Sequence, residues 1–273
     1  MSLPLVVSPA DVAAADPTTI RLVDLRSREA WVEAHPTGAM HLEAALLNRS
    51  EPPAGGLLPD ARTMAALVAS LGLDDVAAGN RPRHVVACDA GGATEAARLV
   101  WALQAYGITS CSWLNGGARA WLAAKLPLEH GETAAPSPTP FAIGPGEANI
   151  LDADTLLGEL DDADLAIVDV RTAAEFAGTD VRAAMGGHVP GAVHLEWTRL
   201  LDADGRLLDD DTLRARLAEA GVALDGRVVV YCQTHQRSAV TWVALKHLGV
   251  ADVRALDGAW STWGNRPDLP KHV

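Results

Sequence analysis

The chain repeats itself, and this internal repeat limits the possible folds more than any other feature of the sequence. The segment RLVDLRSREAW, which begins at Arg21, recurs as AIVDVRTAAEF, which begins 145 residues later at Ala166. HPTGAMHLE at 35–43 returns as HVPGAVHLE at 188–196, and LNGGARAW returns as LDGAWSTW in the same order. Two copies of one domain of about 130 residues therefore explain the 273-residue chain better than a solenoid, whose repeats are shorter and more numerous.

A polar segment separates the two copies. EHGETAAPSPTP, at 129–140, is rich in Pro, Ser and Thr and has no apolar periodicity, which is typical of an exposed connector. The sequence therefore predicts an N-terminal domain over 1–130, a linker over 131–142 and a C-terminal domain over 143–273.

Within each copy, short β-rich runs alternate with segments of helical period. RLVDL and HVVAC in the first copy correspond to LAIVDV and RVVVYC in the second, and helical patterns follow at 93–106 and 238–248. This alternation predicts an α/β fold of two tandem domains, each with a mainly parallel sheet flanked by helices. We expect the helix at 238–248 to bury one face, which includes Val240, Val243 and Leu248, and to stop at Gly249.

Charge and cysteine content limit the partners and the compartment. The net charge of -13 repels nucleic acid and anionic membranes, so neither is an expected partner, although a local basic site could still hold a small anion. The N-terminus lacks a basic start followed by a long apolar stretch, and three cysteines are too few for a disulfide framework. We therefore expect a cytoplasmic protein, and two domains in one chain are compatible with a monomer.

The sequence around Cys232 predicts a reactive thiol. VVVYC reads as a buried strand, which places Cys232 at its carboxyl end, where open parallel sheets bind ligands. Backbone N–H groups of the following loop and the next helix's N-terminus favour an anion at the sulfur, and Arg237 adds a charge able to hold an oxyanion. We interpret Cys232 as a nucleophile, because a buried filler cysteine would be a poor match for the polar residues that follow it. The predicted anion-binding loop comprises Gln233, Thr234, His235, Gln236, Arg237 and Ser238.

The other two cysteines lack these surroundings. Cys88 ends the equivalent strand of the first copy, but Asp89 aligns with Cys232 and the loop AGGAT carries no cation. Cys111 lies in the apparent strand ITSCSWL without a following anion-binding loop. Both are predicted to be packing residues, and the N-terminal domain is predicted to be catalytically inactive.

Four features together resemble the rhodanese family of sulfurtransferases: the two-copy layout, VDVRTAAEF, GGHVPGAVHLEW and LDGAWSTWGNRPDLP. The resemblance covers nearly the whole chain, and the loop is similar to the CQTHHRS form of certain bacterial thiosulfate sulfurtransferases, from which it differs at Gln236. The resemblance implies that Cys232 attacks the outer sulfur of thiosulfate, releases sulfite and passes its persulfide sulfur to cyanide or another thiophilic acceptor. It also implies that no metal or organic cofactor is required.

The resemblance leaves the sulfur donor and several roles open. The 3-mercaptopyruvate branch usually has a CGSGVT-like loop, which this sequence lacks, but that donor remains an alternative. Some rhodaneses have an arginine where this chain has Pro190, so Arg182 is the expected replacement for a second substrate-holding cation. His235 either orients substrate or relays a proton, or is a hydrogen-bonded structural residue of the loop. His188 and His194 lack zinc-site spacing. The expected pocket scaffold comprises Asp169, Arg171, Arg182 and Trp197.

Two further functional classes remain as rivals. Cysteine-dependent phosphatases and arsenate reductases of related fold have five residues between cysteine and arginine, whereas Cys232 and Arg237 are separated by four, a smaller ring that favours a single sulfur atom. The second rival is a noncatalytic binding module, which the retention of both Cys232 and Arg237 disfavours.

Overall fold

A computed structural model describes residues 3–73, 83–134, 138, 143–144, 146 and 150–273. The chain forms two compact units. The first consists of Met1–Leu47, Pro59–Glu147 and Asp204–Arg206, and the second of Asn48–Leu58, Ala148–Ala203 and Leu207–Val273. Segment 48–58 therefore packs with the second unit although sequence order places it in the N-terminal copy. Most of the predicted linker, 131–142, lies outside the described residues.

In chain order the strands are β1 (Val6–Val7), β2 (Ile20–Asp24), β3 (His35–Pro36), β4 (Met40–His41), β5 (Arg49–Glu51), β6 (Ala54–Leu57), β7 (His84–Cys88), β8 (Cys111–Leu114), β9 (Leu128–Glu129), β10 (Ile150–Leu151), β11 (Leu165–Asp169), β12 (Val193–His194), β13 (Arg227–Tyr231) and β14 (Val253–Leu256). The α-helices are α1 (Pro9–Ala14), α2 (Arg28–Glu33), α3 (Ala61–Ser70), α4 (Thr94–Ala105), α5 (Gly117–Ala123), α6 (Ala153–Glu159), α7 (Ala173–Phe176), α8 (Asp210–Glu219), α9 (Arg237–His247) and α10 (Ala259–Trp263). Short 3-10 helices occupy Ala44–Leu47 and Trp197–Leu200.

Each unit contains one five-stranded parallel sheet. The order is β1-β8-β7-β2-β4 in the first unit and β10-β14-β13-β11-β12 in the second. The continuous apolar runs of β7 and β13 are buried at the centre of these sheets, as parallel strands covered on both faces must be. The predicted α/β fold with two mainly parallel sheets is confirmed, and β3 with β9 and β5 with β6 add antiparallel pairs.

The strand register relates the two copies residue by residue. Asp24 lies opposite Cys88 in the first sheet, and Asp169 lies opposite Tyr231 in the second. Asp89 and Cys232 are therefore equivalent, since each follows directly after the central strand. The equivalence extends to the backbone, because the Asp89 carbonyl accepts from the Ala118 N–H (2.7 Å) and the Cys232 carbonyl accepts from the Trp260 N–H (2.9 Å).

Helix α9 follows Cys232 and is buried along 238–245. The helix stops before Gly249, whose φ of 87° is left-handed, as predicted. The predicted apolar residues Val240, Val243 and Leu248 are buried, and α9 is covered on further sides because it packs both against β13 and β14 and against the 3-10 helix Trp197–Leu200. In the ranges that the structure describes, no helix is long and apolar enough to cross a membrane.

Candidate active site

Cys232 lies at the carboxyl end of β13 and is buried, with 1% of its surface exposed. Helix α10 holds the start of its loop, because the Trp260 N–H donates to the Cys232 carbonyl and the Ser261 N–H donates to the Gln233 carbonyl, both at 2.9 Å. His235 then adopts a left-handed φ of 55°, which turns the backbone toward α9. The loop is thus fixed at its carbonyls and leads directly into the helix N-terminus.

Arg237, the first residue of α9, forms a bidentate ion pair with Glu175. Its Nη1 donates to Glu175 Oε2 at 2.7 Å and its Nη2 donates to Oε1 at 2.8 Å. The carboxylate is fully buried, whereas 19% of the Arg237 side chain is exposed. Thr172 holds the Glu175 carboxylate from the other side. Its backbone N–H and hydroxyl both donate to Glu175 Oε2 in a capping box at the start of α7.

The charges of this pair are coupled to the thiol. Burial alone would raise the pKa of Glu175, but hydrogen bonds and charge from Arg237, together with the Thr172 donors, lower that pKa to about 2. Burial alone would lower the pKa of Arg237, but Glu175 and a hydrogen bond and charge interaction with Cys232 raise it. Arg237 is therefore permanently ionised, and Glu175 sets the orientation of its guanidinium.

Arg182 provides a second cation on the same carboxylate. Its Nε lies 3.8 Å from Glu175 Oε1, and its guanidinium donates to Asp180 at 2.8 Å. Its carbonyl accepts from Gln233 Nε2 at 3.0 Å, which ties the catalytic loop to the segment that carries the arginine. Arg182 and Arg237 are balanced in formal charge by Glu175 and Asp180, and 52% of the Arg182 side chain is exposed.

Asp169 and Arg171 form a buried pair beneath the loop. Arg171 Nε donates to Asp169 Oδ1 at 3.0 Å, its Nη2 donates to Oδ2 at 2.6 Å and to the Gly187 carbonyl at 2.7 Å, and the guanidinium lies 4.4 Å from the Trp260 ring centroid. Asp24 and Arg26 repeat this pair in the unit that has no thiol at the equivalent position. The repetition supports a scaffold role for Asp169 and Arg171.

Trp197, His235, Ser238 and two further histidines make contacts around this site. Trp197 begins a 3-10 helix that packs against α9, and its backbone N–H donates to Val170. Ser238 Oγ and His235 Nδ1 lie 2.6 Å apart within the loop, and both residues are buried. His188 stacks on Phe176, and His194 Nε2 lies 2.8 Å from the Arg171 carbonyl oxygen. In the described part of the chain, no three His, Cys, Asp or Glu residues form a group that could hold a metal ion.

The first unit lacks both members of the ion pair at the equivalent positions. Aligning the copies through Asp24 and Asp89 places Ala30 where the second unit has Glu175, and Thr94 where it has Arg237. The Asp89 carboxylate instead fills the space inside the loop that follows it. Its Oδ1 accepts from the Gly91 N–H at 2.7 Å, and its Oδ2 accepts from the Ala96 N–H at 3.3 Å. The backbone of this loop type therefore does surround an anionic group.

Sequence reasoning missed Glu175, although a signal was present. The second copy has the capping-box pattern T-x-x-E at Thr172, whereas the first copy has S-x-x-A at Ser27. The sequence predicted that Arg237 holds an oxyanion. It did not predict that the Glu175 carboxylate already accepts one N–H from each of the two Nη atoms of Arg237. Five N–H groups belong to a guanidinium, so donors remain for the Cys232 sulfur and for a bound anion.

Comparison with known proteins agrees with this fold. The profile of the rhodanese-like domain matches residues 9–124 and again residues 152–266. The thiosulfate sulfurtransferase of Azotobacter vinelandii is 40% identical over 98% of this chain and 97% of its own length, and that of Pseudomonas aeruginosa is 38% identical over 99% and 98%. The 3-mercaptopyruvate sulfurtransferase of Escherichia coli K12 is 32% identical over 90% of this chain and 86% of its own length.

A solved structure of the same fold also matches the chain. The rhodanese-fold structure of SseA from Escherichia coli, a 3-mercaptopyruvate sulfotransferase, covers 94% of this chain and 99% of its own chain with a TM-score of 0.81 and 27% identity. The tandem α/β fold together with these relatives defines the protein as a two-domain sulfurtransferase. The chain belongs to the rhodanese family, as the sequence motifs predicted.

Proposed function

We propose that this protein moves the outer sulfur of thiosulfate to cyanide or another thiophilic acceptor through a persulfide on Cys232. The observation that carries the proposal is the Arg237 guanidinium at the start of α9, five residues after Cys232, which Glu175 holds in a bidentate pair and whose pKa is raised by Glu175 and by the neighbouring Cys232. A fixed cation at the carboxyl end of a buried strand stabilises both the attacking thiolate and an incoming dianion.

The proposed reaction has two steps. The Cys232 thiolate attacks the outer sulfur of thiosulfate, a new sulfur–sulfur bond forms, and sulfite leaves with the electron pair of the broken bond. Cyanide then attacks the terminal sulfur of the persulfide, thiocyanate leaves, and the Cys232 thiolate returns. Because every proposed species carries negative charge, the oriented N–H donors of the Arg237 guanidinium favour both steps.

The first unit supports the proposed role of the loop backbone. There the N–H groups of Gly91 and Ala96 donate to the carboxylate of Asp89, the residue equivalent to Cys232. By analogy, the N–H groups after Cys232 hold the terminal sulfur of the persulfide, which sits one bond further from the backbone than the thiolate sulfur. The same comparison supports an inactive N-terminal domain, because Asp89 offers no sulfur nucleophile.

Thiosulfate is the preferred donor in this proposal. Two relatives named thiosulfate sulfurtransferase are 38% and 40% identical over nearly all of the chain, compared with 32% for the relative named for 3-mercaptopyruvate. The second donor remains the main alternative because that relative also covers 90% of the chain. All three cysteines are free, which agrees with a reducing, cytoplasmic location. We further propose a monomer without metal or organic cofactor.

A donor comparison tests this function. Purified protein is mixed with thiosulfate or 3-mercaptopyruvate in the presence of cyanide, and thiocyanate formation is measured for each donor. We expect a higher kcat/KM with thiosulfate and no phosphate release from an aryl phosphate. A higher kcat/KM with 3-mercaptopyruvate would overturn the donor, and phosphate release without thiocyanate would overturn the reaction class.

A further inference from the structure

The hairpin formed by β5 and β6 comes from the first copy of the sequence but belongs to the second compact unit. Along the chain, the hairpin follows the 3-10 helix Ala44–Leu47 and precedes α3, and both of these elements belong to the first unit. Within the second unit, the hairpin contacts the loop that follows Cys232 and the helix α10 that holds that loop. Neither the motifs nor the family assignment gives this segment a role.

The closest of these contacts is at Gly56. Its φ is 69°, and a Cβ atom at this position would lie 2.1 Å from the carbonyl oxygen of Thr234. Ordinary van der Waals contact for such an atom begins at 3.4 Å, so a side chain here would require a displacement of more than about 1 Å. Only a bare backbone can therefore approach the catalytic loop at this point.

Hydrogen bonds hold the hairpin on both sides of this contact. Asn48, at its start, accepts at Oδ1 from Gln236 Nε2 at a distance of 2.6 Å. The Gly55 N–H donates to Ser261 Oγ at 2.9 Å, and the Ser261 hydroxyl lies 2.8 Å from the Gly55 carbonyl oxygen. The Ser261 backbone N–H in turn holds the carbonyl of Gln233. The hairpin therefore touches the loop directly at Thr234 and Gln236, and through Ser261 it also supports the contact that holds Gln233.

We propose that this hairpin is a positioning element of the sulfur-transfer site and that Gly56 and Asn48 are its positioning residues. They act through Thr234 and Gln236, which they hold in the conformation that directs the loop N–H groups toward the Cys232 sulfur. This inference rests on the proposed function for its kinetic test. It also gives Gln236 a role, as the residue through which the first copy's segment holds the second copy's loop.

The first unit supplies a matched control. Gly205 has a φ of 73°, and a Cβ atom there would lie 2.1 Å from the carbonyl oxygen of Gly91, which is the equivalent of Thr234 in the loop of Asp89. Gly56→Ala and Gly205→Ala thus create similar backbone strain and the same 2.1 Å approach to a loop carbonyl oxygen, to which Gly56→Ala adds a 2.6 Å approach to the Cβ of Thr234. Only Gly56→Ala creates them at a loop that carries a thiol.

The test compares the full-length wild type with G56A, G205A, N48A, Q236A and N48A/Q236A. Stopped-flow mixing with thiosulfate gives the limiting rate of persulfide formation and the half-saturating concentration, and thermal melting gives Tm. A 1 Å misplacement costs roughly 100-fold in rate, so we expect G56A to lower the limiting rate by at least about tenfold. We expect the half-saturating concentration to change less, because Arg237 and Arg182 keep their charges.

G205A should lower Tm about as much as G56A and leave the limiting rate within about twofold of the wild type. The double variant N48A/Q236A should be no slower than N48A alone, because both substitutions break the same hydrogen bond. Equal rates in G56A and G205A, or additive losses in the double variant, would overturn the inference. N48A removes no packing contact of Gly56 and keeps the test valid if G56A fails to fold.

A second measurement does not depend on the proposed donor. The rate of alkylation of Cys232 by iodoacetamide reports the position and environment of the thiol in the same proteins. We expect at least about a threefold change in G56A and none in G205A. If the wild type takes no sulfur from thiosulfate, the proposed function fails, and the alkylation rates alone decide the hairpin's role.

Discussion

Replacing Glu175 by Gln tests the electrostatic core of the site. The substitution keeps the size of the side chain but removes the buried charge that holds Arg237. The pKa of Glu175 is about 2 in the folded protein against an ordinary 4.5, so its ionised form favours the folded state. A difference of this size corresponds to about 3 kcal/mol of stability.

The sign and range of this contribution follow from linkage. Because the folded pKa is depressed, the stabilisation is fully present above the unfolded pKa and is lost as pH falls toward 2. We expect E175Q to unfold with a free energy lower by about 3 kcal/mol near pH 7 and by only about 2 kcal/mol near pH 3.5. Urea unfolding of both proteins at matched pH values measures this difference and cancels the titration of the other carboxylates.

The rate of persulfide formation in E175Q is a second measurement, independent of its stability. In E175Q the Arg237 guanidinium keeps only one acceptor oxygen and meets an amide NH2 in place of the other, so the limiting rate of persulfide formation should fall even at a pH where E175Q is fully folded. A stability difference between wild type and E175Q that does not change between neutral and acidic pH would refute the linkage. Wild-type sulfur uptake by folded E175Q would refute the role of Glu175 in orienting Arg237.

Three further predictions follow from the site's charges and burial. Arg237→Lys keeps the charge but loses the bidentate pair, so steady-state assays should show kcat/KM for thiosulfate lower by roughly 10- to 100-fold. Arg182→Ala removes a half-exposed cation, and we expect a loss under about tenfold that shrinks as salt is added. Burial raises the pKa of Cys88 well above its usual value and that of Cys111 to about 12, so peptide mapping after brief treatment with thiosulfate should find neither carrying sulfur.

Local patterns allowed much of the fold and the position of the thiol to be predicted. The apolar runs that became β7 and β13 specify buried parallel strands, and the repeat aligns Asp89 with Cys232 because both follow the same strand. The Gly249 helix stop was also visible, since its left-handed backbone is a local property of the chain. The identity of the nucleophile remains a proposal, but its location at the sheet's carboxyl edge follows from these patterns alone.

Long-range partners could not be predicted in the same way. Glu175 lies 62 residues from Arg237 in sequence, and the capping box at Thr172 explains its helix position without indicating which cation it meets. Segment 48–58 was assigned to the N-terminal domain because sequence order carries no information on which unit a hairpin packs against. The requirement for glycine at position 56 could not be predicted, because it depends on the Thr234 carbonyl that lies beside Gly56 only in the folded chain.

Intact-protein mass spectrometry of the wild type and Cys232→Ser after treatment with thiosulfate tests the central claim most directly. We expect the wild type to gain one sulfur atom, which peptide mapping locates on Cys232, and to lose it on addition of cyanide as thiocyanate appears. Cys232→Ser should gain nothing. A wild type that gains no sulfur, or a Cys232→Ser variant that gains as much as the wild type, would contradict the account.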